Sequence, residues 1–223
     1  MSSARGAALC RSLRDRIDCA AVTGRRRTPT FVLGLAQTRT AVGYADRAHR
    51  GQQRADGTPF VLHPLEVASL LHDAGAPDGV IAAGVLHDVL EKTDATATDL
   101  LLRFGPRVTE LVVAVSDDDR ISGYAHRKAA LRRQVAGAGD EALMLFAADK
   151  LSKLRELRRE TEDDHDRSDL PSRVRERRAR RLRHYQRSLA LLEERLPESP
   201  LVRDLRDELR VFLQERTSLV VAG

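Results

Sequence analysis

The sequence predicts an all-α protein. Three observations carry this. Aromatic residues make up only 4% of the 223 residues and Trp is absent, so a core must be assembled from Leu, Val, Ala and Ile. Such a composition favours packed helices over a sandwich or barrel. Apolar positions recur at three- and four-residue spacing, as in Leu182, Tyr185, Leu189, Leu192 and Leu196, which is the stripe of an amphipathic helix. No internal repeat or strand-rich region interrupts this pattern.

In chain order, residues 1–28 read as a poorly ordered tail rich in Ala, Ser and Arg that closes before Pro29. A helix is expected from Thr30 to Arg50, with Phe31, Leu35, Val42, Ala45 and Ala48 near one face and His49 at its end. Residues 51–60 hold Gly, Asp and Pro and form a turn-rich loop. His63-Pro64 opens the next helix, with Pro64 at the favoured first position, and Gly75 closes it. Asp78 is placed to cap a helix carrying the apolar run Ala83–Glu91. Thr96 or Thr98 caps a short helix that ends at Gly105-Pro106, and Val108–Val115 forms another. An acidic loop (116–120) precedes a basic amphipathic helix, Tyr124 to Ala136. A long helix starts at Asp140 or Glu141; its apolar first half marks it as central. Residues 161–170 are acidic and irregular. Pro171 opens an Arg-rich helix, and a last helix runs from about Leu201 to Arg216. The expected organisation is a tail (1–28), a core (29–160) and a basic helical extension packed on it (161–223).

Charge and cysteine content narrow the setting. The net charge of +5 suits an anionic ligand such as a phosphorylated small molecule. The arginines between Arg173 and Arg187 form a dense run, but acidic residues flank it. A solvated helix face packed by its leucines explains them better than nucleic acid does. A homodimer contact through the two C-terminal helices stays open. Cys10 and Cys19 make neither a disulfide framework nor a zinc spacing. No stretch approaches a membrane span, and the N-terminus lacks a secretory h-region. The expectation is a cytoplasmic protein without membrane contact.

The chemistry concentrates in Ala83–Glu91, which is apolar except for His87, Asp88 and Glu91. On a continuous helix His87 and Glu91 share a face. Ligand-type side chains in an apolar helix are costly to bury unpaired. His49 and Asp149 present the same problem in their own helices, whereas His72-Asp73 stands at an exposed helix end and reads as inert. Together His49, His87, Asp88 and Asp149 offer two imidazoles and two carboxylates. That mixed donor set suits Mn2+, Fe2+ or Zn2+.

These elements occur in a telling order: AHRGQQRADGTPFVLHPLEVASLL, then AGVLHDVLEKT, then FGPRV, then AADKLSKLREL. Over residues 30–160 the chain resembles the HD-superfamily phosphohydrolases, most closely the hydrolase domain of the RelA/SpoT alarmone enzymes and their small stand-alone relatives. The resemblance implies an HD-domain helical bundle with added C-terminal helices. It also implies Mn2+ and removal of the 3′-pyrophosphate from (p)ppGpp, with NADPH as a substrate of some small relatives. Carried over by motif, His49, His87, Asp88 and Asp149 are the metal ligands. Glu91 handles protons at the reacting water or leaving group, and Arg54 contacts the nucleotide. Lys92 and Lys150 are placed to assist the phosphate chemistry, and Lys153 joins Arg54 and Lys150 as a substrate contact. His63 is expected to be structural, or to support a ligand from behind. Three positions depart from the pattern: Lys92 replaces an acid, Ala55 a lysine and Lys153 an asparagine. They motivate a second reading, a weakly hydrolytic domain that binds a nucleotide or alarmone as a sensor.

Overall fold

The computed structural model describes residues 29–162 and 171–221. The predicted 1–28 tail, both cysteines and residues 163–170 of the acidic stretch lie outside the described residues. After a short 3-10 turn, Thr30–Val32, the helices are α1 (Ala36–Ala48), α2 (Leu62–Asp73), α3 (Asp78–Leu86), α4 (Val89–Lys92), α5 (Ala97–Val115), α6 (Tyr124–Gly137), α7 (Asp140–Glu162), α8 (Ser172–Arg195) and α9 (Pro200–Val221). The described residues contain no strand, only an isolated antiparallel bridge between Gln53 and Pro59. The fold is all-α, as the composition predicts. None of the helices is long and apolar enough to cross a membrane. The chain forms two compact units, one ending at Val113 and the other beginning at Ala114.

In the first unit, α3 is the central element. Every residue from Val80 to Leu86 is buried, as expected of a helix apolar on all sides. Both α1 and α2 pack on it. Gly84 makes the α2 approach close: a Cβ there would lie 2.6 Å from Leu71 Cδ1. The expected helix from Thr30 is instead a 3-10 turn followed by α1, whose buried face is Thr38, Ala41 and Ala45. Leu35, at the N-cap of α1, has no side-chain oxygen to offer.

Asp78 supplies that missing acceptor. It does not cap its own helix, where Pro77 holds the N-cap position. Its carboxylate accepts the N–H groups of Gln37 (3.0 Å) and Thr38 (2.9 Å) and the Thr38 hydroxyl (2.6 Å) at the start of α1. Burial raises its pKa, but the bonds from Thr38 and Gln37 prevail and hold it below the usual carboxylate range.

One other expectation shifts in detail. Pro64 is the third residue of α2, still within the first turn, where the N–H groups need no intrahelical partner. The two helices expected around Gly105 are the two halves of α5, separated where Gly105 leaves helical geometry (φ 79°, ψ 174°) just before Pro106. Thr96 is the cap: its hydroxyl accepts the Asp99 N–H (3.2 Å), and Asp99 accepts the Thr96 N–H (3.0 Å), a reciprocal capping box.

In the second unit, α7 packs against α6, α8 and α9. Its inward-facing residues include Leu143, Leu145, Phe146, Leu151 and Leu154, all at 0% exposure. Tyr185, Leu189 and Leu192 turn α8 inward. Arg158 ties α7 to α9 through a two-pronged contact with Glu215 (2.8 and 3.1 Å). The last helix runs further than its apolar stripe suggests, to Val221.

Candidate metal centre

The expected continuous helix through Ala83–Glu91 is broken. α3 stops at Leu86, His87 is its C-cap, and α4 resumes at Val89. His87 and Asp88 therefore occupy a turn between helices, and no uninterrupted helical face joins His87 to Glu91. The break also frees the Gly84 carbonyl, which accepts a hydrogen bond from His87 Nδ1 at 2.8 Å. A carbonyl only accepts, so Nδ1 carries the proton and Nε2 holds a lone pair.

That nitrogen lies in a buried cluster. His87 Nε2 is 3.2 Å from His63 Nε2 and 3.4 Å from Asp88 Oδ2, and His63 Nε2 is 3.5 Å from the same oxygen. His63, His87 and Asp88 are 2%, 3% and 1% exposed. Two imidazole nitrogens so close need a proton or a cation between them. The close packing of α2 on α3 at Gly84 is what brings His63 to His87.

His49, the C-cap of α1, is 3% exposed. Its Nδ1 lies 2.9 Å from Gln52 Oε1, and Gln52 Nε2 donates to the Lys92 carbonyl at 2.7 Å. The second bond fixes the amide orientation, so His49 Nδ1 is the donor and Nε2 carries the lone pair. That Nε2 is buried without a hydrogen-bond partner. Burial lowers the His49 pKa, opposed by Gln52 and Asp88 and reinforced by His87 and Lys92. The imidazole stays in the neutral form that a metal requires.

The remaining sequence-selected residues fall into two groups. In the first unit, Glu91 and Lys92 are exposed at the end of α4. The Lys92 ammonium stands 5.3 Å from the centre of the Phe60 ring, and Phe60 itself packs on His49. Arg54 sits in the loop before α2, its guanidinium 3.9 Å from Glu66. His72 and Asp73 are exposed, as expected of a helix end. In the second unit, Asp149 is 5% exposed and lies between two ammonium groups, Lys150 (2.5 Å) and Lys153 (2.8 Å). Burial pulls the Lys150 pKa down to about 8 against the pull of Asp149; Lys153 and Lys128 lower it further.

Sequence reasoning missed Gln52 as the group that orients His49. Its signal was present: an amide three residues beyond the histidine. It also had no means of seeing that His63 faces His87, which depends on helix packing.

The HD-domain family model matches residues 41–174, more than half of the chain. The chain belongs to the HD-domain family. An HD domain takes a divalent metal, and the donors here fit one. The unpartnered His49 Nε2 and the lone pair of His87 are the ligand forms required. The separations of 3.2–3.5 Å within the His63–His87–Asp88 cluster match neighbouring ligands on bonds of about 2.1 Å. Among relatives, the human guanosine-3′,5′-bis(diphosphate) 3′-pyrophosphohydrolase MESH1 is 41% identical over 128 residues, 56% of this chain and 71% of that protein. The GTP pyrophosphokinase of Streptomyces coelicolor is 35% identical over 127 residues, which is 15% of its length. Among solved structures, a metazoan ortholog of SpoT that hydrolyses ppGpp shares this HD fold. Its TM-score is 0.65 at 28% identity, covering 81% of this chain and 96% of that one.

Proposed function

We propose that this HD domain is a metal-dependent hydrolase that removes the 3′-pyrophosphate from (p)ppGpp in the cytoplasm. The observation that carries the proposal is the buried His63–His87–Asp88 convergence beside the unpartnered His49 Nε2. The activity of the human relative supports the substrate. In this reading His49, His87, Asp88 and Asp149 hold Mn2+, and His63 backs the set through its contacts with His87 and Asp88. A divalent ion, when bound, supplies Lewis acidity and a lowered water pKa.

The chain's own residues do the rest. The Gly84 carbonyl and Gln52 keep His87 and His49 in the tautomers that present Nε2. Glu91, exposed three residues beyond Asp88, takes the proton of the attacking water or returns it to the leaving group. Arg54, Lys92, Lys150 and Lys153 offset the charge of the pyrophosphate as it departs. Lys92 in particular replaces an acid with a cation, which strengthens phosphate binding at the cost of a second base.

The test is a product-resolved assay of ppGpp, pppGpp and NADPH with Mn2+, Zn2+ and EDTA. Pyrophosphate release that requires metal and disappears in both His87→Ala and Asp88→Ala is the expected result. Unchanged turnover in the two variants refutes the site, and tight nucleotide binding without product refutes the activity.

A further inference from the structure

A second cluster lies within the second unit, between α6 and α8. It is a cavity of about 120 Å3 lined by Lys128, Arg132, Arg180, Arg183, Arg187 and His184, with Tyr124 as its aromatic wall. None of the lining residues is acidic. Lys128 is paired with Asp117 at 2.5 Å. Arg180, Arg183 and Arg187 have no carboxylate partner among the described residues, and all three are exposed. Cations gathered this closely repel one another unless an anion is present.

His184 indicates what kind of ligand is missing. It is 5% exposed, and its Nδ1 is 2.9 Å from Arg132 Nη1. A guanidinium can only donate. His184 Nδ1 is therefore the acceptor and Nε2 carries the proton. The Ser188 hydroxyl fits this assignment, since it donates to the His184 carbonyl at 2.8 Å. His184 Nε2 is buried with no partner. A buried N–H without an acceptor costs about 1–3 kcal/mol, and the cavity that His184 lines has cationic walls. The imidazole is held neutral, first by burial and then by Lys150, Lys128 and Arg132, against the opposing pull of Asp149, so it donates through a single N–H.

We propose that the cavity between α6 and α8 binds a phosphate-type oxyanion, with His184 Nε2–H and the guanidinium groups of Arg132, Arg183 and Arg187 as its donors. Tetrahedral oxyanions suit this arrangement because arginines grip them two-pronged while a neutral N–H takes a further oxygen. The anion is either a phosphate of the nucleotide substrate or a separate phosphorylated ligand. The assignment stands apart from the hydrolase reading, because none of its donors belongs to the candidate metal centre.

The experiment titrates inorganic pyrophosphate into the full chain carrying His87→Ala, in EDTA, by calorimetry and by the ring resonances of His184. Saturable binding that shifts those resonances is expected. Adding Arg183→Ala and Arg187→Ala, both at exposed positions, should weaken it by about tenfold or more, as loss of charge-assisted bonds does. The absence of saturable binding, or an unchanged Kd in the triple variant, overturns the proposal whether or not the unaltered chain hydrolyses (p)ppGpp. The two arginine substitutions alone then identify the source. A raised KM for the nucleotide at unchanged kcat assigns the anion to the substrate. An unchanged KM with weakened pyrophosphate binding assigns it to a separate ligand.

Discussion

His87 and His184 are both buried imidazoles beside helices, yet their Nε2 atoms have opposite roles. In the first unit, acceptors hold Nδ1: the Gly84 carbonyl for His87 and the Gln52 amide oxygen for His49. Their Nε2 atoms carry lone pairs, and a carboxylate, Asp88, stands among them. In the second unit a donor, Arg132, holds the Nδ1 of His184. Its Nε2 carries a proton, and the cations Lys150, Lys128 and Arg132 outweigh the one carboxylate, Asp149, that acts on it. The same side chain is set up for a cation in one place and for an anion in the other. The choice is made by the hydrogen-bond partner of the other ring nitrogen, not by burial, which all three share.

The comparison breaks first at His87. His87→Ala removes a lone pair that no neighbour replaces, so metal-dependent pyrophosphate release should fall by more than the roughly 10–100-fold typical of a supporting partner. Circular dichroism of the variant separates this from unfolding. Gln52→Ala tests the supporting role itself. His49 then loses the acceptor that fixes its tautomer, and metal affinity should drop about 10–100-fold with the fold intact, read by competition with a chelator. Gly84→Ala tests the packing that brings His63 to His87. The added methyl meets Leu71 Cδ1, and overpacking of this kind costs about 1–3 kcal/mol. Urea denaturation of the metal-free chain measures that cost. A weakened metal affinity alongside it would show that the α2–α3 distance sets the cluster.

The two histidine environments also differ in how far sequence reveals them. The all-α class was legible because 3–4 spacing and scarce aromatics report local structure directly. His49, His87 and Asp88 stood out as ligand-type residues in apolar surroundings, and the structure buries all three. The break at His87-Asp88 was not legible, since the weak helix formers in Ala-Gly-Val-Leu-His-Asp-Val-Leu are spread along the run and do not mark where a helix would stop. Asp78 looked like a cap for its own helix, and only tertiary packing redirects it to α1. His63 needed the Gly84 contact, which joins helices separated by a turn. His184 was the least visible. It lies in an arginine run that reads as a solvated face, and its meaning depends on Arg132, 52 residues earlier.

The smallest effect separates the two settings by pH. Burial first, then the charges of Lys150, Lys128 and Arg132, push the His184 pKa down to about 2. In the unfolded chain it returns to the ordinary value of about 6.5. Between these values the unfolded state binds more protons, so stability rises with pH. The contribution is complete above pH 6.5 and is lost as pH falls, by up to about 1.4 kcal/mol per unit. Urea denaturation at pH 6.5 and 5.5, above the range where ordinary carboxylates titrate, should show a loss approaching that size. His184→Gln, which keeps a polar side chain but does not titrate, should reduce the slope over this interval, leaving the part contributed by His49, whose pKa burial also lowers. An equal slope in the variant would mean that His184 is protonated in the folded protein. Its Nδ1 could then not accept from Arg132, and the contrast with His87 would fail at the atom on which it depends.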